Sequence, residues 1–145
     1  MQFINDNMDL IRYYESEYYL LKEIKTSTAL NSIPVKIHIV TNDDGSGGIN
    51  ISAVLEELSE VNSYFQNSFV EFYVCDDVNY INSSSLYDFD SDTQQDLLFS
   101  NHQADILNIY FVGDISFGAG GACGYTYLPG NTDQYYDVIV MDNDC

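Results

Sequence analysis

The stretch Asp105–Asp142 contains the segments DILNIYFV (105–112), GDISFGAGGAC (113–123), GYTYLPG (124–130) and YDVIVMD (136–142). Residues 106–112 and 138–141 are short apolar runs bounded by Gly, Asp and Asn, which is typical of strands buried on both faces. Segment 124–128 alternates instead, with two tyrosines on one face and a threonine on the other. This alternation, closed by Pro129, predicts an edge strand with one face toward solvent.

The charge of the chain is strongly acidic. Its 145 residues carry 23 Asp and Glu against 4 Lys and Arg, a formal net charge of −19, and all four basic residues precede residue 37. Such a surface repels phosphate backbones and anionic headgroups, so the sequence argues against nucleic acid and membrane as partners. The length and the 46% apolar content predict a real core. We expect an N-terminal helix and linker over 1–32 and one domain over 33–145.

The cysteines and the first residues bear on the compartment. Cys75, Cys123 and Cys145 match no metal-binding spacing, and they fit one disulfide plus a free thiol as well as three free thiols. No apolar stretch approaches the ~20 residues of a membrane span. Residues 1–9 lack the basic and apolar regions of a signal peptide, so secretion would require that a signal had been removed.

The rest of the chain predicts alternating helices and strands. Periodicity indicates helices over 9–25, 51–66 and 93–99, parallel strands over 35–40, 69–74, 106–112 and 138–141, and an antiparallel edge strand over 124–128. The clearest helix has apolar residues at the helical period, namely Ile51, Val54, Leu55, Leu58, Val61 and Phe65. Strands joined through a long helix imply a right-handed parallel crossover. The fold class is therefore α/β, with a mixed, mostly parallel sheet, one antiparallel edge strand and a crossover helix.

Two loop motifs resemble known ligand sites but depart from them. The Gly-rich run 118–124 has Cys123 where the third glycine of a dinucleotide fingerprint would stand, and a strand follows it, so a turn is favoured. The acidic run from Asp88 has Thr93 in place of the obligatory EF-hand glycine, so that motif is rejected. A looser calcium site that uses Asp88, Asp90 or the Asp43–Asp44 pair stays open beside a helix cap and a solvated loop.

The sequence alone contains no complete catalytic apparatus. His38 lies on the strand face opposite three apolar residues, and His102 follows 64 residues later in a polar turn, so each is expected to be a structural histidine. No serine lies in a Gly-x-Ser-x-Gly elbow, and no nucleophile, base and orienting acid come together.

Five phrases nevertheless resemble a known family in content and order. They are IPVKIHIV (33–40), LSEVNSYF (58–65), LNIYFV (107–112), GYTYLP (124–129) and DVIVM (137–141). Together they look like the amino-terminal half of a pappalysin-like (cytophagalysin-type) zinc metallopeptidase of the metzincin group. The resemblance covers about residues 33–142 and implies a zincin-like upper subdomain.

The family resemblance also implies where the chemistry lies. In that family the strand like 137–141 leads into a helix with His-Glu-x-x-His-x-x-Gly-x-x-His, whose histidines hold zinc while its Glu acts as base. This sequence stops at Cys145, before any such helix, so it supplies no catalytic and no metal-ligating residue. The family's edge strand binds an extended peptide by main-chain hydrogen bonds. By resemblance, the peptide-binding residues are Gly124, Tyr125, Thr126, Tyr127 and Leu128.

We therefore expect the cleft-forming part of a secreted, extracellular zinc endopeptidase, inactive by itself, with a peptide or protein substrate as partner. The alternative is a noncatalytic acidic peptide- or protein-binding module that keeps the zincin-like sheet. In the enzyme fold the zinc helix packs beneath the sheet, so apolar side chains from 106–112 and 138–141 would be uncovered. Helix 9–25 or a second copy of the chain, forming a homo-oligomer through that face, would then cover them.

Overall fold

A computed structural model describes residues 30–90, 97, 100–117, 120–127 and 137–145, without the side chain of Phe117. It contains helices α1 (Ile51–Phe65) and α2 (Ser84–Tyr87), a 3₁₀ turn (Gln66–Ser68), and strands β1 (Asn31–Thr41), β2 (Val70–Val74), β3 (Asn79–Asn82), β4 (Asp88–Asp90), β5 (Leu107–Val112), β6 (Asp114–Phe117), β7 (Gly120–Gly121), β8 (Gly124–Thr126) and β9 (Val138–Asp142). The predicted helix 9–25 and, apart from Leu97, helix 93–99 lie outside the described residues. The domain division at residue 32 stays a prediction.

The main sheet has the strand order β2-β1-β5-β9-β8, and β3 pairs with the second half of β1. All of these pairs are parallel except β8–β9, which is antiparallel. The predicted parallel strands and the antiparallel strand beside them are therefore confirmed, and the protein is a mixed α/β fold. β1 is longer than predicted because its two halves pair with different strands, at Val35↔Val74 and His38↔Asn79.

The two faces of the sheet are covered by different parts of the chain. The link from β1 through α1 to β2 moves toward one edge, whereas the links that lead to β5 and β9 move toward the other. Right-handed crossovers would put α1 on one face and the later links on the opposite face. The packing agrees with this rule: Val35, Ile37 and Ile39 of β1 pack with Val54 of α1. On the other face, Val40 packs in a cluster with Leu86, Phe89 and Leu97. We call these the α1 face and the His38 face.

Helix α1 lies toward the β2 edge of its face. The side-chain amide of Asn62 hydrogen-bonds the backbone of Phe72 in β2, and the Phe65 ring meets the Phe72 ring edge-on at 5.5 Å. Among the predicted apolar positions of α1, Val54 alone is buried, whereas Leu55, Val61 and Phe65 are exposed. The apolar stripe of the helix is therefore wider than the strip of sheet that it covers.

The part of the α1 face formed by β5 and β9 is incompletely covered. Its side chains are half-buried, and Met141 is 39% exposed: Leu107, Ile109, Phe111, Ile139 and Met141. The alternate residues of the same strands are buried in the core of the His38 face: Tyr110, Val112, Val138 and Val140. The expectation of uncovered apolar side chains thus fits one face of the sheet and fails on the other. We call the five residues of the first set the open strip.

The described part of the polar stretch between β2 and β5 has more regular structure than its composition predicts. It contains β3, α2 and β4, and β4 pairs in parallel with β6, which in turn pairs with β7 in a second small sheet. The solvated loop that the sequence left open for Asp88–Asp90 is therefore a strand in the structure, and Phe89, between the two aspartates, is fully buried. Strands of two to four residues are too short to show a periodicity of their own.

Candidate functional site

The edge strand β8 turns a row of backbone groups away from the sheet. Its register on β9 is Gly124↔Met141, Tyr125↔Val140 and Thr126↔Ile139, and the amide of Asp142 donates to the carbonyl of Cys123 at 3.0 Å. Because bonding direction alternates along an antiparallel strand, Tyr125 faces β9, whereas Gly124 and Thr126 point their N–H and C=O groups outward. Within the described part of the chain, β9 is the one strand that pairs with β8.

The side chains of β8 hold the strand against the sheet. Tyr125 and Tyr127 pack on the core of the His38 face, and the Tyr125 ring stacks near Phe89 with centroids 6.1 Å apart. Thr126 lies on the other face and donates through its hydroxyl to the carbonyl of Val138 at 2.7 Å. The predicted division of the two tyrosines and the threonine between faces is therefore confirmed. Leu128, the last predicted peptide-binding residue, lies outside the described residues.

Gly124 is required where β8 approaches β9 most closely. A Cβ at this position would lie 2.9 Å from the carbonyl oxygen of Val140 and 3.1 Å from the sulfur of Met141. Both distances are shorter than an ordinary van der Waals contact, so a side chain here would push the edge strand away from its neighbour.

A disulfide joins the start of β8 to the segment after β9. Cys123 and Cys145 are bonded, with their Cα atoms 5.4 Å apart, and Cys75 is a half-buried free thiol. Of the two cysteine arrangements that the sequence left open, the structure thus has the disulfide with one free thiol. Such a bond persists in an oxidising compartment.

The opposite edge of the sheet is partly blocked by a side chain. The amide of Phe72 and the carbonyl of Phe72 point outward from β2, and the Asn62 side chain bonds both, at 2.7 and 2.8 Å. An added strand could not bond these groups without displacing Asn62. Further along this edge, the amide of Ser83 donates to the Thr41 carbonyl, so the alternate residues of β3, Tyr80 and Asn82, point their backbone groups outward.

His38 belongs to a buried hydrogen-bond network. The Asn108 side chain donates to the carbonyls of Gln103 and Ile106, so its Oδ1 is the atom that accepts from the Gln103 amide and faces His38 Nε2 at 3.0 Å. His38 must therefore carry its proton on Nε2, and its Nδ1 accepts from Asn79 at 3.0 Å. Both ring nitrogens are occupied, so His38 has a structural role.

The histidines of the described chain do not fit a zinc site. Both nitrogens of His38 are bonded to asparagines, and the described residues contain no group of three His, Cys, Asp or Glu side chains that could hold a metal ion. We therefore derive no chemical step through zinc. At the proposed calcium loop, Asp43 accepts from the amide of Ser84 and Asp44 accepts from the amide of Ser46. These bonds correspond to the helix cap and turn of the simpler interpretation, and calcium binding stays a prediction.

The pKa of His38 is lowered from 6.5 to about 4, chiefly because the ring is buried; the bond to Asn108 opposes this shift, and the nearby Lys36 and His102 add to it. Because the folded protein binds this proton less readily than the unfolded chain, stability should be lost as the pH falls from about 6.5 toward 4. Because of His38, we expect the free energy of unfolding to be about 2–3 kcal/mol lower at pH 4.5 than at pH 7. Urea unfolding of wild type and His38→Gln at both pH values tests this. An equal loss of unfolding free energy in the two proteins would show that groups other than His38 control the pH dependence of stability.

Comparisons with known proteins add no relative: no protein-family model matches the chain, and a search of curated proteins finds no match. In the described residues, no helix is long and apolar enough to cross a membrane. The class of protein is therefore defined by the geometry of its sheet. The chain is a mixed α/β protein whose parallel sheet carries, beyond β9, an antiparallel strand with outward-facing backbone groups.

Sequence reasoning missed the asparagines that hold this arrangement. Asn108 stands between Leu107 and Ile109 in an apolar strand, and an isolated polar residue in such a run signals a buried hydrogen-bonding role. Asn62 gave no comparable signal, because an asparagine near the end of a helix is ordinary. Its importance comes from β2 passing beside it.

Proposed function

We propose that this chain forms the substrate-cleft part of a secreted zinc-dependent endopeptidase of the pappalysin-like metzincin type, and that an extended peptide adds to β8. The observation that carries the proposal is the outer edge of β8, which no strand of the described residues pairs with and where Gly124 and Thr126 turn their backbone groups outward. A peptide that pairs there gains main-chain hydrogen bonds whatever its sequence. Zinc and the general base would come from the helix that follows β9 in that family.

The open strip supports this proposal. Strands lie about 4.8 Å apart and a helix with its side chains is about 10 Å wide, so one helix covers about two strands. Helix α1 covers β2 and β1, and the open strip spans the next two strands, β5 and β9. It is therefore about as wide as one further helix. In the family that the sequence resembles, the zinc-bearing helix packs under the sheet.

The charge of the chain indicates which peptides would bind. Five of the 23 acidic residues precede residue 37, so 18 follow it, and no Lys or Arg does. Asp137 precedes β9 and Asp142 is its last residue, next to the edge strand, and both lie in this uncompensated part of the chain. The field around β8 therefore favours a cationic peptide, whose binding should weaken as salt is added.

A second candidate function is a noncatalytic module that binds an extended segment of another protein. The same observation favours it, because strand addition at β8 needs neither zinc nor a general base. The open strip would then be covered by a partner, such as a second copy of the chain. The coding sequence after Cys145 separates the two candidates, since a His-Glu-x-x-His helix supports the enzyme and a stop codon supports the binding module.

Strand addition at β8 can be tested by removing one outward-facing amide. Thr126→Pro deletes that N–H and places the proline ring at the free edge, where proline does least harm to the sheet. We expect it to weaken binding of a fluorescein-labelled decapeptide of alternating lysine and valine at least tenfold, about 1.4 kcal/mol. Fluorescence anisotropy measures the affinity.

Two control variants locate the effect. Thr126→Val loses the hydroxyl bond to Val138 but keeps the outward amide, so its affinity should stay within about twofold of wild type. Tyr80→Pro removes the corresponding amide of β3 and should leave binding unchanged. If Tyr80→Pro weakens binding and Thr126→Pro does not, the peptide adds to the opposite edge and the proposal for β8 is wrong.

A further inference from the structure

Within the described residues, the backbone of β8 is bonded to the sheet along one side, while its tyrosines pack on the core of the His38 face. The strand is three residues long and pairs on one side with β9, where the Asp142–Cys123 bond and the Thr126 hydroxyl add two contacts. Upstream of Cys123, Gly120 and Gly121 form β7, which pairs with β6, and the amide of Ala122 donates to the carbonyl of Ile115 at 3.1 Å. These upstream bonds join the second small sheet and not β9, so they do not fix the register of β8 on β9.

The Cys123–Cys145 disulfide supplies a covalent attachment at this point. Cys123 immediately precedes β8, and Cys145 lies three residues beyond the end of β9, so the bond closes the open end of the β8–β9 pair. It also holds Cys123 where its carbonyl accepts from Asp142. The register of β8 on β9 therefore depends on this bond more than that of the longer strands does.

We propose that the Cys123–Cys145 disulfide positions β8 for strand addition, so that the oxidised chain binds an extended peptide and the reduced chain binds it weakly. A dithiol reductant opens the bond in two steps. One of its thiolates attacks one cystine sulfur and forms a mixed disulfide, and its second thiolate then displaces the protein thiolate. Two electrons and two protons pass to the cysteines, and the reductant leaves as a cyclic disulfide. The inference rests on the proposed strand addition at β8.

The test compares oxidised protein with protein that has been reduced by dithiothreitol and capped with iodoacetamide. The labelled lysine–valine decapeptide is the probe. We expect the reduced, capped protein and Cys145→Ser each to bind it at least tenfold more weakly than the oxidised protein, and uncapped protein to regain binding on reoxidation. Cys75→Ser, which leaves the disulfide intact, should bind like wild type.

Amide hydrogen exchange distinguishes a positioning role from a general stabilising one. Reduction should speed exchange of the Tyr125 amide, which faces β9, and leave the amide of Tyr110 in the central strand β5 protected. Equal peptide affinity before and after reduction would overturn the inference and leave strand addition intact. Loss of protection at Tyr110 as well would also overturn it, because the whole domain would then have opened. If the oxidised protein binds no probe, the proposed function fails and this inference with it.

Discussion

Replacing Gly113 with alanine is expected to be among the most damaging single changes in this chain. A Cβ on Gly113 would overlap the ring of Tyr87, and the Gly113 amide also donates to the Tyr87 carbonyl at 2.9 Å. The backbone bond keeps the strand end close to Tyr87, so the ring, which also lies against Gly47, would have to shift to make room. We expect a loss of about 3 kcal/mol in the free energy of unfolding, measured by urea denaturation.

A double-mutant cycle identifies the cause of that loss. In a Tyr87→Ala background the ring is gone, so adding Gly113→Ala should cost less than about 1 kcal/mol more. Gly120→Ala is the matched control, because its Cβ would meet nothing within 4 Å, and its effect should stay within about 0.5 kcal/mol. A similar cost of Gly113→Ala with and without the Tyr87 ring would show that the glycine matters for another reason.

The position of Tyr87 also bears on function. Its ring lies against Gly113, which follows β5, and against Gly47, in the loop after β1. In open α/β sheets, ligands bind outside the carboxyl ends of the strands, where the strand order reverses, and here that point lies between β1 and β5. Tyr87 occupies this place. This agrees with the rejection of the Gly-rich run 118–124 as a nucleotide site, and it favours the edge of the sheet as the ligand site.

The second large effect is expected from Asn108→Leu. The Asn108 side chain is fully buried and serves four partners: His38 Nε2, the Gln103 amide and the carbonyls of Gln103 and Ile106. Leucine fills a similar volume but leaves these groups without a partner inside the protein. At about 1–3 kcal/mol for each buried unsatisfied group, with partial relaxation, we expect a total loss of about 4 kcal/mol in urea denaturation.

Asn82→Ala provides the control for Asn108. Asn82 also lies in a strand next to β1, but it is exposed, and its side chain accepts one hydrogen bond, from the Thr41 hydroxyl. Its loss should cost about 1 kcal/mol or less. If Asn108→Leu costs no more than Asn82→Ala, the network around His38 does not contribute to stability in the way the geometry implies.

The sequence predicted those parts of the fold in which one physical signal dominates. Apolar residues occupy both faces of 106–112 and 138–141, and both segments form central strands. The alternating tyrosines of 124–127 correctly predicted which face of β8 packs on the core. The candidate site at β8 depends on weaker sequence signals. The direction of the outward groups on β8 follows from its register with Val140, and register is set by contacts between distant segments.

The missed features have a common physical reason. The choice of Cys123 and Cys145 as the bonded pair, the Asn62–Phe72 bonds and the Tyr87–Gly113 contact each depend on a proximity that the fold creates. Local periodicity carries no information about such pairs. The second small sheet was missed because β4 and β7 are three and two residues long, shorter than one clear period of alternation.

The central claim is that β8 is the strand to which a peptide adds, and amide exchange with and without saturating probe tests it most directly. Because the outward amides are those of Gly124 and Thr126, we predict that the lysine–valine decapeptide slows their exchange at least tenfold and leaves Tyr125, already bonded to β9, unchanged. Protection of Tyr80 and Asn82 instead, or of no edge amide while the probe is bound, would contradict the account.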